Sequence, residues 1–138
     1  MLTSNLYIIC LLNIIWTGTW IGRLRLIFTL PTTIFGAMDS PTYWPREPLA
    51  YIEWYAPLAG SADPDHGMYQ VKKASLRKGG SLPGEIVLLS CVRQSCQLIP
   101  CFGSEAVPEE WKSGSVLDQC SKFWLNNWSS KYAYQSLW

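Results

Sequence analysis

The sequence predicts a mainly β protein, a small barrel of five or six strands closed by one C-terminal helix. Three observations carry that prediction. Short runs of alternating or continuous apolar residues recur between Arg23 and Phe102, and that two-residue period belongs to strands. Turn-forming residues separate the runs. Gly84 to Phe102, GEIVLLSCVRQSCQLIPCF, reads as a strand, one helical turn and a strand. Ile86 to Leu89 is a continuous apolar run, and an extended pattern resumes from Val92 to Ile99 after a break at Ser90 and Cys91.

The individual elements follow in chain order. Arg23 to Leu30 (RLRLIFTL) alternates, with Leu24, Leu26 and Phe28 expected on one face and Arg23 and Arg25 on a basic outer face. Pro31 ends it. Thr32 to Pro48 is a loop rich in Pro, Thr and Ser that carries Tyr43 and Trp44. Leu49 to Tyr55 is the second strand, Ala50, Ile52 and Trp54 opposing Tyr51, Glu53 and Tyr55. Ala59 to Gly67 (AGSADPDHG) is turn chemistry, and the third strand runs from Met68 to Ala74. A second turn, Arg77 to Gly84, leads to the strand, turn and strand described above. Four such strands need closure to remove exposed edges, hence the barrel.

Beyond the fifth strand the period changes. Ser115 with Asp118 three residues on resembles a helix start, and Val116, Leu117, Cys120, Phe123, Trp124, Asn127 and Trp128 form a wide stripe at helical spacing. A helix over residues 115–129 is expected, covering one end of the barrel. The tail Lys131 to Trp138 suits a last strand.

At 138 residues the chain accommodates one domain. It is 49% hydrophobic and 15% charged, poorer in charge than the roughly 25% of an average domain. Residues 21–138 are expected to form the domain, and residues 1–20 to be a non-domain or signal-like apolar segment dispensable for folding. Leu6 to Trp16 falls short of the roughly 18 residues of a membrane-spanning helix. No Lys or Arg precedes it and Thr17-Gly18-Thr19 is a poor cleavage site. No membrane partner is expected.

The functional residues point to binding rather than catalysis. There is no Gly-rich phosphate loop, nucleophile elbow or His-containing metal motif. The one histidine, His66, stands in a turn beside Asp63 and Asp65 and reads as a solvated turn residue. Cys91, Cys96, Cys101 and Cys120 lie at spacings poor for zinc and read as scattered buried thiols. No metal or cofactor is expected, although four cysteines would also suit two disulfides in a secreted chain. The net charge of +1 gives no global field. Locally, Lys72, Lys73, Arg77, Lys78 and Arg93 face Glu85 alone, while Asp39 to Asp65 is acidic. A basic rim of Lys72, Lys73, Arg77 and Lys78 beside Tyr51, Trp54, Tyr55 and Tyr69 is the candidate binding surface, for a phosphate backbone or an acidic peptide. At least half of those rings must instead be core.

The succession GRLRLIFTLP, PLAYIEWYAPL, GMYQVKK, GEIVLLSCVRQSCQLIPCFG and VLDQCSKFWLNNW resembles the C-terminal region of the large proteins of basidiomycete Plavaka- and KDZ-type DNA transposons, over Gly22 to Trp138. VRQSCQLIP is its most specific phrase, similar to a Val-Arg-Ser-Cys-His-Leu-Ile-Pro run in that family, with Gln97 where the family has His. IEWY and LSCVRQSC also resemble, more distantly, motifs of the bromo-adjacent homology domain, a chromatin-associated interaction module with a distorted barrel. The resemblance implies a Src-homology-3-like or bromo-adjacent-like barrel, and a non-catalytic module detached from a fungal transposon-derived protein, by truncation or by a start read through non-coding sequence. It implies a protein or chromatin partner, with nucleic acid as a second class, and a nuclear or intracellular location. The rival expectation is a small secreted, disulfide-bonded fungal protein.

Overall fold

In the computed structural model, residues 9–14, 18–36, 38–104 and 106–126 are described. The chain is mainly β. Strand β1 (Ile9–Ile14) pairs antiparallel with β2 (Gly18–Phe28). A short hairpin follows, β3 (Thr33–Ile34) with β4 (Met38–Asp39). Then come β5 (Leu49–Trp54), β6 (Tyr69–Lys72), β7 (Gly84–Leu88), a 3-10 turn at Leu89–Cys91, β8 (Val92–Cys96) and β9 (Leu98–Pro100). A single helical turn, α1 (Val116–Gln119), precedes β10 (Lys122–Leu125).

Two main sheets result, one of five strands in the order β7-β5-β2-β1-β8 and one of three in the order β6-β10-β9. The strand, turn and strand expected at residues 84–102 are found. Their role is unusual, because β7 and β8 are the two outer strands of the five-stranded sheet and only the 3-10 turn joins them. A flat five-stranded sheet would hold those edges about 19 Å apart, whereas the four steps from Leu88 to Val92, rising roughly 2 Å each, span about 8 Å. The sheet must therefore curl. Its concave face gathers Leu24, Ala50, Ile52, Trp54 and Val87 with Leu89 from the turn and Val92 from β8, Ala50 and Ile52 being fully buried.

A second core lies on the other face, where Ile21 and Tyr55 of the large sheet meet Val71, Leu117, Cys120, Phe123 and Leu125. The two sheets join at two places. β8 runs into β9 past Gln97, and β5 continues to Tyr55, which bridges Lys73 at the end of β6. One isolated bridge is not a ladder, and no pairing joins β7 to β8. The expected barrel is therefore corrected to two sheets that touch at both margins without closing.

Three further expectations change. The strand predicted from Arg23 to Leu30 starts earlier and its register shifts between Leu24 and Leu26. Such a bulge inserts an extra residue and turns later side chains to the opposite face. Leu24 consequently faces the concave core, while Leu26 is more than half exposed and Arg23 is buried. The helix expected at 115–129 is also corrected: it ends at Gln119, and Lys122–Leu125 is a strand between β6 and β9. KFWL fits either period. As a strand it satisfies the edges of both neighbours and buries Phe123 and Leu125, which a helix there would leave undone. Residues 127–138, including the expected last strand, lie outside the described residues. Lastly, within the expected non-domain segment 1–20, Ile9–Ile14 pairs with β2 on one side and β8 on the other, an interior place in the sheet.

Gly22 marks the tightest point of the curl. A Cβ there would collide with Ile52 Cγ2 and lie 3.3 Å from the Trp54 ring. Gly22→Ala is expected to destabilise the fold by about 1–3 kcal/mol, read as a lower urea midpoint at unchanged slope. Gly60→Ala, where a Cβ meets nothing within 4 Å, should stay within about 0.5 kcal/mol of the parent. Equal midpoints for the two variants would contradict the packing described.

Candidate binding surfaces

The junction between the sheets carries a cluster of charges. Arg23 is 5% exposed, and its guanidinium donates to Asp118 Oδ1 at 2.6 Å. A buried cation needs such a partner. Asp118 is held there by α1, and its main-chain carbonyl accepts from Lys73 Nζ. Arg25 Nε stands 3.6 Å from Glu53 Oε2. Desolvation lowers the Lys73 pKa. The hydrogen bond from Arg23 holds the Asp118 carboxyl below its usual range. Tyr55 is pushed up to about 12, chiefly by burial, and its ring meets Phe123 edge-on at 6.0 Å.

Above this cluster lies a groove of about 590 Å³ between β5 and the 74–82 loop. Tyr51, Glu53, Lys73, Leu76, Ser81 and Asp118 are among the residues that line it. Tyr51 owes its position to Gly84, because a side chain there would strike the Tyr51 ring and hydroxyl. The loop is held by Arg77 N donating to Ser81 O and by Gly80 N donating to Arg77 O. Gly79 and Gly80 both take positive φ, at 107° and 81°, a conformation that glycine adopts without steric penalty.

The structure does not bring the eight sequence-predicted residues to one surface. Tyr51 and Lys73 line the groove, and Arg77 and Lys78 are exposed on its loop. Tyr55 is core. Trp54 faces the concave core and meets Trp20 edge-on at 5.8 Å. Tyr69 packs against the second core. Lys72 points to the opposite side of β6 from Val71, away from that core.

That side of the three-stranded sheet is a second surface. Lys72 stands directly opposite Lys122, and Gln70 opposite Trp124, which in turn opposes Ile99. Gln70, Ile99, Lys122 and Trp124, with Pro100, Cys101, Phe102 and Gly103, line a shallow groove of about 650 Å³, and Lys72 stands beside it. Sequence reading missed Lys122 and Trp124 because it assigned them to a helix, although the period of two in KFWL was the available signal. It also took Asp118 for a helix cap. No side-chain cap bond forms, and the carboxylate serves Arg23 instead. His66, expected to be a solvated turn residue, sits with its ring 4.4 Å from that of Trp124, edge to face, and 3.5 Å from Asp63 Oδ1.

Among the described residues Cys91, Cys96, Cys101 and Cys120 are free thiols, and no group of three His, Cys, Asp or Glu side chains could hold a metal ion. No described helix is long and apolar enough to cross a membrane. Compared with family models, with curated proteins and with solved structures, the chain matches none.

The Arg23–Asp118 pair makes stability depend on acid. A carboxyl whose folded pKa is depressed contributes stability above its unfolded value, and that contribution is lost as pH falls through the folded value. The parent should lose stability progressively below about pH 4, and Asp118→Asn should flatten that part of the acid-unfolding profile. Parallel profiles for the two proteins would show that the pair is not formed.

Proposed function

We propose that the protein is a non-catalytic binding module whose groove between β5 and the 74–82 loop takes an extended segment of a partner protein. One observation supports the reading above the others: Tyr51, Leu76 and Leu82 give this groove apolar lining, interrupted by Glu53, Ser81, Lys73 and Asp118. Ligand sites characteristically combine apolar walls with a few placed polar groups, in volumes of about 300–1,000 Å³. Lys73, the cation that lines it, and the two arginines of the cluster beneath it are already matched. Arg23 pairs with Asp118, Lys73 donates to the Asp118 carbonyl and Arg25 lies beside Glu53, so the groove itself is a poor anion site. The exposed Arg77 and Lys78 on its loop would add steering toward an acidic partner.

The resemblance to the ends of transposon-encoded proteins and to bromo-adjacent homology modules adds the partner class. In this proposal the module is a detached C-terminal piece of such a protein, and chromatin proteins are the first partners to test.

The test uses the full chain with nucleosome core particles and with an array of histone-tail peptides. Two variants accompany the parent, Tyr51→Ala and Gly84→Ala, the second displacing the Tyr51 ring without removing it. Capture by the parent, weakened at least about fivefold in both variants, is expected for a ring that anchors the ligand. No capture at low salt, or equal capture by all three proteins, would overturn the proposal.

A further inference from the structure

The outer face of the three-stranded sheet carries a feature that the groove reading does not use. Lys72 on β6 and Lys122 on β10 occupy directly opposed positions. Opposed residues of an antiparallel pair have Cβ atoms about 4.5–5.5 Å apart, and like charges there are destabilising. Both side chains are exposed, and among the described residues no carboxylate pairs with either. Lys73, the next residue on the chain, turns to the other side and is committed to Asp118. Two flexible ammonium groups rising from one cross-strand position can reach a single small anion.

Next to this pair stands a ring. Trp124 lies two residues from Lys122, on the same face by the alternation of the strand, between Gln70 and Ile99. His66 meets it edge to face, which fixes the indole without a stacked partner covering both its sides. Phe102 is exposed at the far end of the same groove, and its ring lies 5.9 Å from that of Trp111. The arrangement is thus a pair of opposed lysines on an open sheet face, with the anchored indole on one side of it along β10 and Phe102, which follows the Cys101 that lies beside Lys122, on the other.

We infer that this face of β6, β10 and β9 binds single-stranded nucleic acid, with one backbone phosphate held between Lys72 and Lys122 and a base stacked on Trp124. An acidic peptide would satisfy the lysines and gain little from the rings, whereas every base has a flat face to stack. A duplex keeps its bases stacked inside and offers this surface only its phosphates. This surface is distinct from the groove beside Tyr51, so each can fail without the other.

Fluorescence anisotropy of the full chain with labelled 15-nucleotide oligo-dT, between about 50 and 200 mM salt, tests the inference. Lys72→Ala combined with Lys122→Ala should weaken binding and reduce the slope of log K against log salt by roughly 0.7 for each phosphate no longer neutralised. Trp124→Leu should weaken binding about 5- to 150-fold while leaving that slope unchanged. Lys72→Glu separates binding from folding. It converts the repulsive pair into an attractive one, so its thermal midpoint should equal or exceed that of the parent while binding falls at least tenfold. Absence of binding by the parent at low salt, equal affinity in Lys72→Glu, equal affinity for duplex, or equally effective competition by polyglutamate would each overturn the assignment.

Discussion

A single three-residue connection dictates much of this molecule's shape. Leu89–Cys91 joins the two outermost strands of a five-stranded sheet, and so short a link is compatible only with a sheet curled until its edges approach. The curl demands a small residue where β2 and β5 bend past one another, and Gly22 supplies it. It also calls for a change of register along β2, and the bulge between Leu24 and Leu26 supplies that. The concave face becomes a core of its own. The convex face is left to be covered at one end only, by α1 and the three-stranded sheet.

That covering explains where the charges sit. Ile21 and Arg23 share the face that α1 and β10 pack against, so Arg23 is carried into the junction of the two sheets with its charge intact. Asp118 and Glu53 lie around it, and Tyr55 beside it, its hydroxyl kept neutral by burial. The cluster is costly to desolvate and specific in geometry. It fixes how the small sheet sits on the large one, and thereby shapes the groove above Tyr51. The two proposed surfaces have different origins: the groove comes from the junction, while the lysine and indole face comes from β10 being shared by β6 and β9.

Several elements were legible in the sequence for physical reasons. Leu49 to Tyr55 and Met68 to Ala74 alternate because successive side chains of a strand meet different surroundings on its two faces, and the break at Ser90 and Cys91 interrupts an otherwise continuous apolar run. What was not legible depends on distant partners. Arg23 looks like a solvent-facing cation until Asp118, 95 residues away, is brought to it. Val116 to Leu125 carries both a helical stripe and a two-residue alternation, and only the two open edges of β6 and β9 decide between them. Ile9–Ile14 is a short run with no alternation of its own, and only its pairing with β2 and β8 shows it to be a strand. Of the four aromatic residues among the eight predicted, Trp54, Tyr55 and Tyr69 were required by the cores and only Tyr51 lines the groove, while the indole of Trp124 was hidden inside a helix assignment.

The pairing of β1 between β2 and β8 is the feature on which the curled sheet stands, since without it the sheet would be divided into two parts. Backbone hydrogen exchange on the full chain tests this most directly. The amides of Ile9–Ile14 that bond to either neighbour should be protected to a degree comparable with those of β2 and β5, and strong cross-strand proton contacts should link Cys10 with Gly22 and with Ser95. Exchange of the Ile9–Ile14 amides at the rate of an unstructured peptide, with β2 and β5 still protected, would contradict the account.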